Sequence, residues 1–168
     1  MNRRCNLSLF LLLSAASVPR EGHAQHIPAR SAGTVLFVCE HGTVRSLLAK
    51  ILFEQYAREV GLSMEAVSRG TRADSAVPPW LVRGLAADHV TLGAWRPQTI
   101  RPEDLTNASY VVSFDVPRYV TAAAHAARAQ WDSLPSVSRD YATGRDAIKA
   151  RVRALVDSLK RARDARRP

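Results

Sequence analysis

Residues 35–50 read VLFVCEHGTVRSLLAK, and three kinds of chain follow one another within them. Val35 to Val38 is an unbroken apolar run of the sort that forms a strand buried on both faces of a parallel sheet. Cys39 to Val44 is short and mostly polar, with Gly42 in its middle. From Ser46 to Val60 the residues Leu47, Leu48, Ile51, Leu52, Tyr56 and Val60 recur at helical spacing, and Gly61 stops the run. Five residues therefore separate Cys39 from Arg45 in a bend between strand and helix. Backbone amides in such a bend converge on one point, the helix amino terminus adds partial positive charge, and a planar guanidinium grips two oxygens of an anion. The same field stabilises a thiolate, so Cys39 is the candidate nucleophile.

The rest of the bend supplies the cradle, with Glu40, His41, Gly42, Thr43, Val44, Arg45 and Ser46 as the candidate oxyanion-binding residues. Gly42 matters because a loop that turns successive amides inward needs positive φ, which glycine adopts at little cost. Ser46 has two compatible roles, donating its hydroxyl to the thiolate or capping the helix. Glu40 is expected to point outward, since a carboxylate opposes a bound anion, and His41 to face solvent.

Working outward, Ala66-Val67-Ser68 suits a second strand, and Pro78-Pro79 opens a helix through Leu81, Val82, Leu85 and Ala86. Pro102 to Asn107 suits a helical turn, Tyr110 to Phe114 a strand, and Tyr119 to Ala129 an alanine-rich helix. Gln130-Trp131 suits a brief last strand, and a loop from Asp132 to Gly144 leads to a closing helix striped by Ile148, Val152, Leu155, Val156 and Leu159. Strands alternating with helices this closely predict an α/β fold, a three-layer open parallel sheet of about four strands with helices on both faces. Ligands bind such sheets at the carboxyl ends of the strands, where Cys39 stands.

The chain has 168 residues, enough for one domain with a real core. Residues 1–24 have the pattern of a signal peptide: Arg3 and Arg4, then apolar Leu7 to Val18, then the small-x-small Gly22-His23-Ala24. The apolar run is too short to span a bilayer. The expected organisation is a leader at 1–24, a short exported segment at 25–33, the domain at 34–160 and a basic tail at 161–168. The protein is thus expected to be periplasmic or secreted, without an integral membrane span.

The formal net charge is +9, of which the leader carries Arg3, Arg4 and Arg20 against Glu21. The remainder favours anionic ligands. Its basic residues near the carboxyl end form a solvated helix face without interleaved aromatics, so nucleic acid is not an expected partner. Of the two cysteines, Cys5 lies in the leader and Cys39 is left alone, which excludes an internal disulfide and a cysteine zinc cluster. The histidines show no ligand spacing either, and no cofactor is implied.

From about Thr34 to Leu159 the chain resembles the low-molecular-weight protein tyrosine phosphatase superfamily, which also holds thioredoxin-coupled arsenate reductases. The likeness rests on Val35 to Ser46, on Ser68-Arg69-Gly70-Thr71, on the proline-led helix, and on Arg96-Pro97 and Pro102-Glu103-Asp104-Leu105 ahead of Val111-Val112-Ser113-Phe114-Asp115. The resemblance implies Cys39 as nucleophile, Arg45 as the oxyanion grip and Ser46 as thiolate support. It also implies an aspartic acid after the last strand that protonates the leaving oxygen, a role worth about 10² to 10⁴ in rate. Asp132 is the first candidate, with Asp115 and Asp140 as rivals. The family's Asp-Pro pair is replaced here by Asp132-Ser133-Leu134-Pro135, and its Gly and Asn by His41 and Gly42.

The activity this implies is hydrolysis of phosphotyrosine or small phosphomonoesters through a phosphocysteine. One alternative is an arsenate reductase that borrows an external thiol, because no further cysteine follows Cys39. The other is an exported protein that binds phosphate or arsenate without turnover. The partners are then a phosphorylated protein, a small phosphoester or arsenate, and the oligomeric state is left open.

Overall fold

The structure, a computed structural model, describes residues 33–166. The leader expected at 1–24, and the segment after it as far as residue 32, lie outside the described residues. The elements are β1 (Thr34–Cys39), α1 (Arg45–Glu59), β2 (Glu65–Gly70), α2 (Pro79–Ala87), α3 (Pro102–Asn107), β3 (Tyr110–Ser113), a 3-10 turn (Arg118–Thr121), β4 (Ala127–Gln130) and α4 (Tyr141–Asp164).

All four strands are parallel, in the order β2-β1-β3-β4. The apolar run therefore becomes an inner strand, with Val35 to Cys39 all buried. Alternation along it sends Phe37 to one face and Leu36 and Val38 to the other. The first face is sealed by α1, α2 and α4 through Phe53, Leu81, Leu85, Ile148 and Val152. At its centre Phe37 packs near Phe53, Phe114 and Trp131, with ring centroids 5.9, 6.5 and 6.2 Å away. Truncating one buried ring of this kind costs about 3–5 kcal/mol. The second face is thinner: Leu105 of α3 and Ala108 at its end, with Val116 and Ala124, cover Leu36, Val38 and Val111. Helices on both faces of a four-stranded parallel sheet make the predicted α/β class.

One connection departs from expectation. Tyr119 to Ala129 is not a helix, because the chain makes only the turn Arg118–Thr121 before Ala127–Gln130 pairs with Tyr110–Ser113. Alanine propensity is a weak preference, and ladder hydrogen bonds to β3 outweigh it. The last strand accordingly begins at Ala127 and ends before Trp131, whose N–H still donates to Ser113 O at 2.8 Å. The closing helix starts early, at Tyr141, where the Asp140 carboxylate accepts the Thr143 N–H at 3.0 Å as N-cap. It also absorbs the first residues of the basic tail, running to Asp164.

Candidate active site

The bend after β1 is held from outside by the chain that leaves β2. The N–H groups of Thr71, Arg72 and Asp74 donate to the carbonyls of Cys39, Glu40 and His41 at 3.0, 2.8 and 3.0 Å. In a trans peptide the N–H points opposite to the preceding carbonyl. Pulling these three carbonyls toward β2 therefore turns the amides of Glu40, His41 and Gly42 the other way, to the side of the thiol. The Gly42 N–H accordingly donates to Cys39 Sγ at 3.2 Å.

Two glycines permit this approach. Gly42 has φ +69, and a Cβ on it would stand 2.8 Å from Gly70 N. A Cβ on Gly70 would stand 2.8 Å from Gly42 N and 2.9 Å from Glu40 O, all backbone atoms that cannot swing aside. The Gly42 position was legible in the sequence as a need for positive φ. Gly70 was legible only through the Ser-x-Gly-Thr pattern, which carries no hint of a backbone-to-backbone contact.

Ser46 is the second residue of α1 and wholly buried, and its Oγ lies 3.0 Å from Cys39 Sγ. Val44, and not Ser46, occupies the cap position. Of the two roles open to Ser46, support of the sulfur is the one the geometry gives it. Buried Ser68 lies behind it, its Oγ 2.9 Å from Ser46 Oγ and 3.1 Å from Gly42 O. When the single Ser68 proton goes to Ser46 and not to Gly42 O, the Ser46 proton is left for the sulfur. A thiolate then receives two hydrogen bonds, from Gly42 N–H and Ser46 O–H, at the positive end of α1.

Asp74 was not foreseen. Its Oδ2 accepts the hydroxyl of buried Thr43 at 2.7 Å and its Oδ1 lies 3.0 Å from His41 Nδ1. Thr43 and His41 thus brace the loop against the β2 side. Glu40 pairs with Arg72, with 2.6 Å between Oε1 and Nη2, yet it and His41 also line the rim of the cleft that holds Cys39. His41 is half exposed.

Cys39, Arg45 and Phe114 line a cleft of about 350 Å³ together with Asp115 and with Ser136 and Val137 from the loop before α4. Arg45 Nη1 bonds the Asp115 carboxylate directly. Asp115 has φ +47 and is tied to the next loop twice: its N–H donates to Asp132 Oδ1 at 2.9 Å, and its Oδ1 accepts the Ser133 N–H at 3.2 Å. Asp132 is therefore one residue away from the arginine, behind Asp115, and is absent from the cleft lining. Asp140 caps α4. Among the described residues no group of three or more His, Cys, Asp or Glu is placed to hold a metal ion.

A sulfur nucleophile seated among inward amides, with a guanidinium in the same cleft, defines a cysteine-based enzyme acting on oxyanions, of the phosphatase or reductase type. The sequence places the chain more narrowly: it belongs to the low molecular weight phosphotyrosine protein phosphatase family, which matches residues 34–165.

Solved structures agree on the fold. A low molecular weight protein tyrosine phosphatase from Bacillus subtilis is similar with TM-score 0.65 and 23% identity, over 77% of this chain and 99% of that one. A thioredoxin-dependent arsenate reductase from Corynebacterium glutamicum has TM-score 0.64 and 24% identity, over 80% of this chain and 65% of that one. An arsenate reductase from Archaeoglobus fulgidus has TM-score 0.54 and 26% identity, over 73% of this chain and 98% of that one. Comparison with curated protein sequences returned no match.

Proposed function

We propose that the protein is a phosphatase that hydrolyses phosphotyrosine or small phosphomonoesters through a phosphocysteine, and that it works outside the cytoplasm. The observation that carries the reading is the seating of Cys39 Sγ, with Gly42 N 3.2 Å and Ser46 Oγ 3.0 Å away, in one cleft with Arg45. The export half rests on the basic-apolar-small pattern of residues 1–24.

In the first step the thiolate attacks phosphorus, the S–P bond forms, and the bond to the ester oxygen breaks while a carboxyl gives that oxygen its proton. Water then attacks phosphorus, the carboxylate takes a proton from it, and the S–P bond breaks to release phosphate and thiolate. Arg45 and the loop amides bind the three non-bridging oxygens in both steps. The carboxyl is assigned to the Asp115–Asp132 pair. Asp115 reaches the cleft and is the donor, and Asp132, the choice from sequence, holds it by the Asp115 N–H. Arg45 pairs with Asp115 in the structure. A phosphoryl group that takes over the arginine frees the carboxyl and, by its own negative charge, favours the protonated form.

The test is turnover of p-nitrophenyl phosphate in reducing buffer, beside Cys39→Ser, Asp115→Asn and Asp132→Asn. The expected pattern is abolition by the first, a loss of about 10² or more by the second, and a smaller loss by the third. A slower Asp132 variant than Asp115 variant would transfer the acid role to Asp132. A second reading, arsenate reduction, is favoured by the likeness to two arsenate reductases, and with Cys39 the one cysteine among the described residues it requires an external thiol. It predicts thiol-dependent arsenite release from a wild type inactive on the ester. Phosphate binding with neither activity would identify a binding protein.

A further inference from the structure

On the second face of the sheet, opposite α1 and α4, the described residues place the 3-10 turn Arg118–Thr121 beside β4. In the register of β3 with β4, Val111 stands beside Arg128 and Ser113 beside Gln130. Alternation then puts Ser113, Arg128 and Gln130 on this second face with Val111. They line a cleft of about 480 Å³, together with Ala129 and with Arg118 and Thr121 from the 3-10 turn. We propose that this cleft is a second anion site, separate from the Cys39 loop, that takes a small tetrahedral oxyanion of the phosphate type.

Ser113 is the first reason. It is only 5% exposed, and its hydroxyl makes no hydrogen bond among the described residues. Among the described residues no side-chain polar atom sealed from solvent lacks a partner, so this hydroxyl opens into the cleft that Ser113 lines. A polar group so nearly buried is ordinarily bonded, and a ligand in the cleft is what this one can reach.

The arginines are the second reason. Arg45, Arg69, Arg72 and Arg145 each hold a carboxylate. Arg118 and Arg128 pair with none among the described residues, and no Asp or Glu lines the cleft. Arg128 is nonetheless placed, because its Nη1 donates to Thr121 O at 3.0 Å and ties strand to turn. Gln130 is placed likewise by its Nε2, which donates to Val116 O at 3.3 Å. Two guanidinium groups, of which that of Arg128 is held in place, and a hydroxyl are matched by the three or four oxygens and the double charge of a phosphate-type ion. The inference does not depend on what Cys39 does.

The experiment is a titration of the full chain with inorganic phosphate, followed by amide chemical shifts, in an Arg45→Ala background that disables the Cys39 loop. Saturable shifts are expected at Ser113, Thr121 and Gln130. Each of Arg118→Ala, Arg128→Ala and Ser113→Ala added to that background is expected to weaken them by about tenfold or more, since each removes a charged hydrogen bond. Arg118 is on an exposed turn, so its variant reports on binding even if an edge-strand substitution unfolds β4. The proposal is overturned if the cleft amides do not move, or if sodium chloride at equal ionic strength moves them as far. It is overturned equally if affinity is unchanged by Arg118→Ala in a folded protein.

Discussion

The connections that leave β1 and β3 start from neighbouring strands and end differently. After Cys39 the chain wraps a loop whose carbonyls are clamped by Thr71, Arg72 and Asp74, and a 15-residue helix then seals the sheet. After Ser113 it passes through Asp115 at φ +47, makes a four-residue 3-10 turn, and returns as an edge strand that is mostly exposed. The first connection spends nearly every polar group on itself and holds one sulfur in place. The second holds its frame with few bonds and leaves two arginines without carboxylates among the described residues. Rigidity around a nucleophile is what catalysis requires, because a misplacement of about 1 Å can cost 10² in rate.

That contrast can be broken most severely at Gly70. Gly70→Ala puts a methyl against Gly42 N and Glu40 O, so the loop must retreat from β2. Turnover is expected to fall by about 10² or more, and stability by about 1–3 kcal/mol, read by p-nitrophenyl phosphate assay and thermal melting. Unchanged turnover would mean that the loop's position against β2 is not what fixes the thiol. Asp74→Ala is the milder version. It removes the acceptor of Thr43 and the neighbour of His41 while leaving the three backbone clamps, and about a tenfold loss of kcat/KM is expected. A loss as large as that of Gly70→Ala would shift the weight of the clamp from backbone to side chains.

The second connection is tested by glycine. In α1, Ala57→Gly is expected to cost about 1 kcal/mol or more, the helix-interior difference plus a buried methyl. Exposed Ala123, in the turn before β4, has no helix to weaken, so Ala123→Gly is expected to cost under about 0.5 kcal/mol. Equal costs in chemical denaturation would restore the helical reading of Tyr119 to Ala129.

The same pair of regions explains what could be read from sequence. Val35 to Val60 is legible because its apolar run, its polar bend and its helical period are each local properties of the chain. Ala122 to Ala129 is not, since its alanines say helix and only the β3 ladder, which depends on a distant segment, makes β4. The site divides in the same way. Cys39, Gly42, Arg45 and Ser46 stand in one stretch and are visible together. Ser68, Gly70, Asp74 and Asp115 reach the loop from other strand ends, so parallel pairing brings them in. Asp132, taken from the resemblance as the aspartate after the last strand, lies against Asp115, but which of the two reaches the arginine depends on side-chain direction, which no spacing reveals.

Asp140 gives the smallest effect and one whose sign is fixed by its surroundings. The Thr143 N–H and hydroxyl, 3.0 and 2.7 Å away, hold its carboxyl below the usual carboxylate range. A carboxyl whose folded value is depressed stabilises the fold above its unfolded value, near 3.9 on the scale of about 4 usual for aspartate. That contribution is lost as the pH falls through the folded value. Asp140→Ala is therefore expected to lower the melting midpoint by a constant small amount across neutral pH, with the gap to wild type narrowing below about pH 4 to what a neutral capping oxygen is worth. Asp140→Asn keeps a capping oxygen without the charge, so it should lie between the two at neutral pH and match wild type in acid. A gap that persisted unchanged into acid would mean that Asp140 supports α4 by the shape of its turn alone, and that its charge adds nothing to the cap.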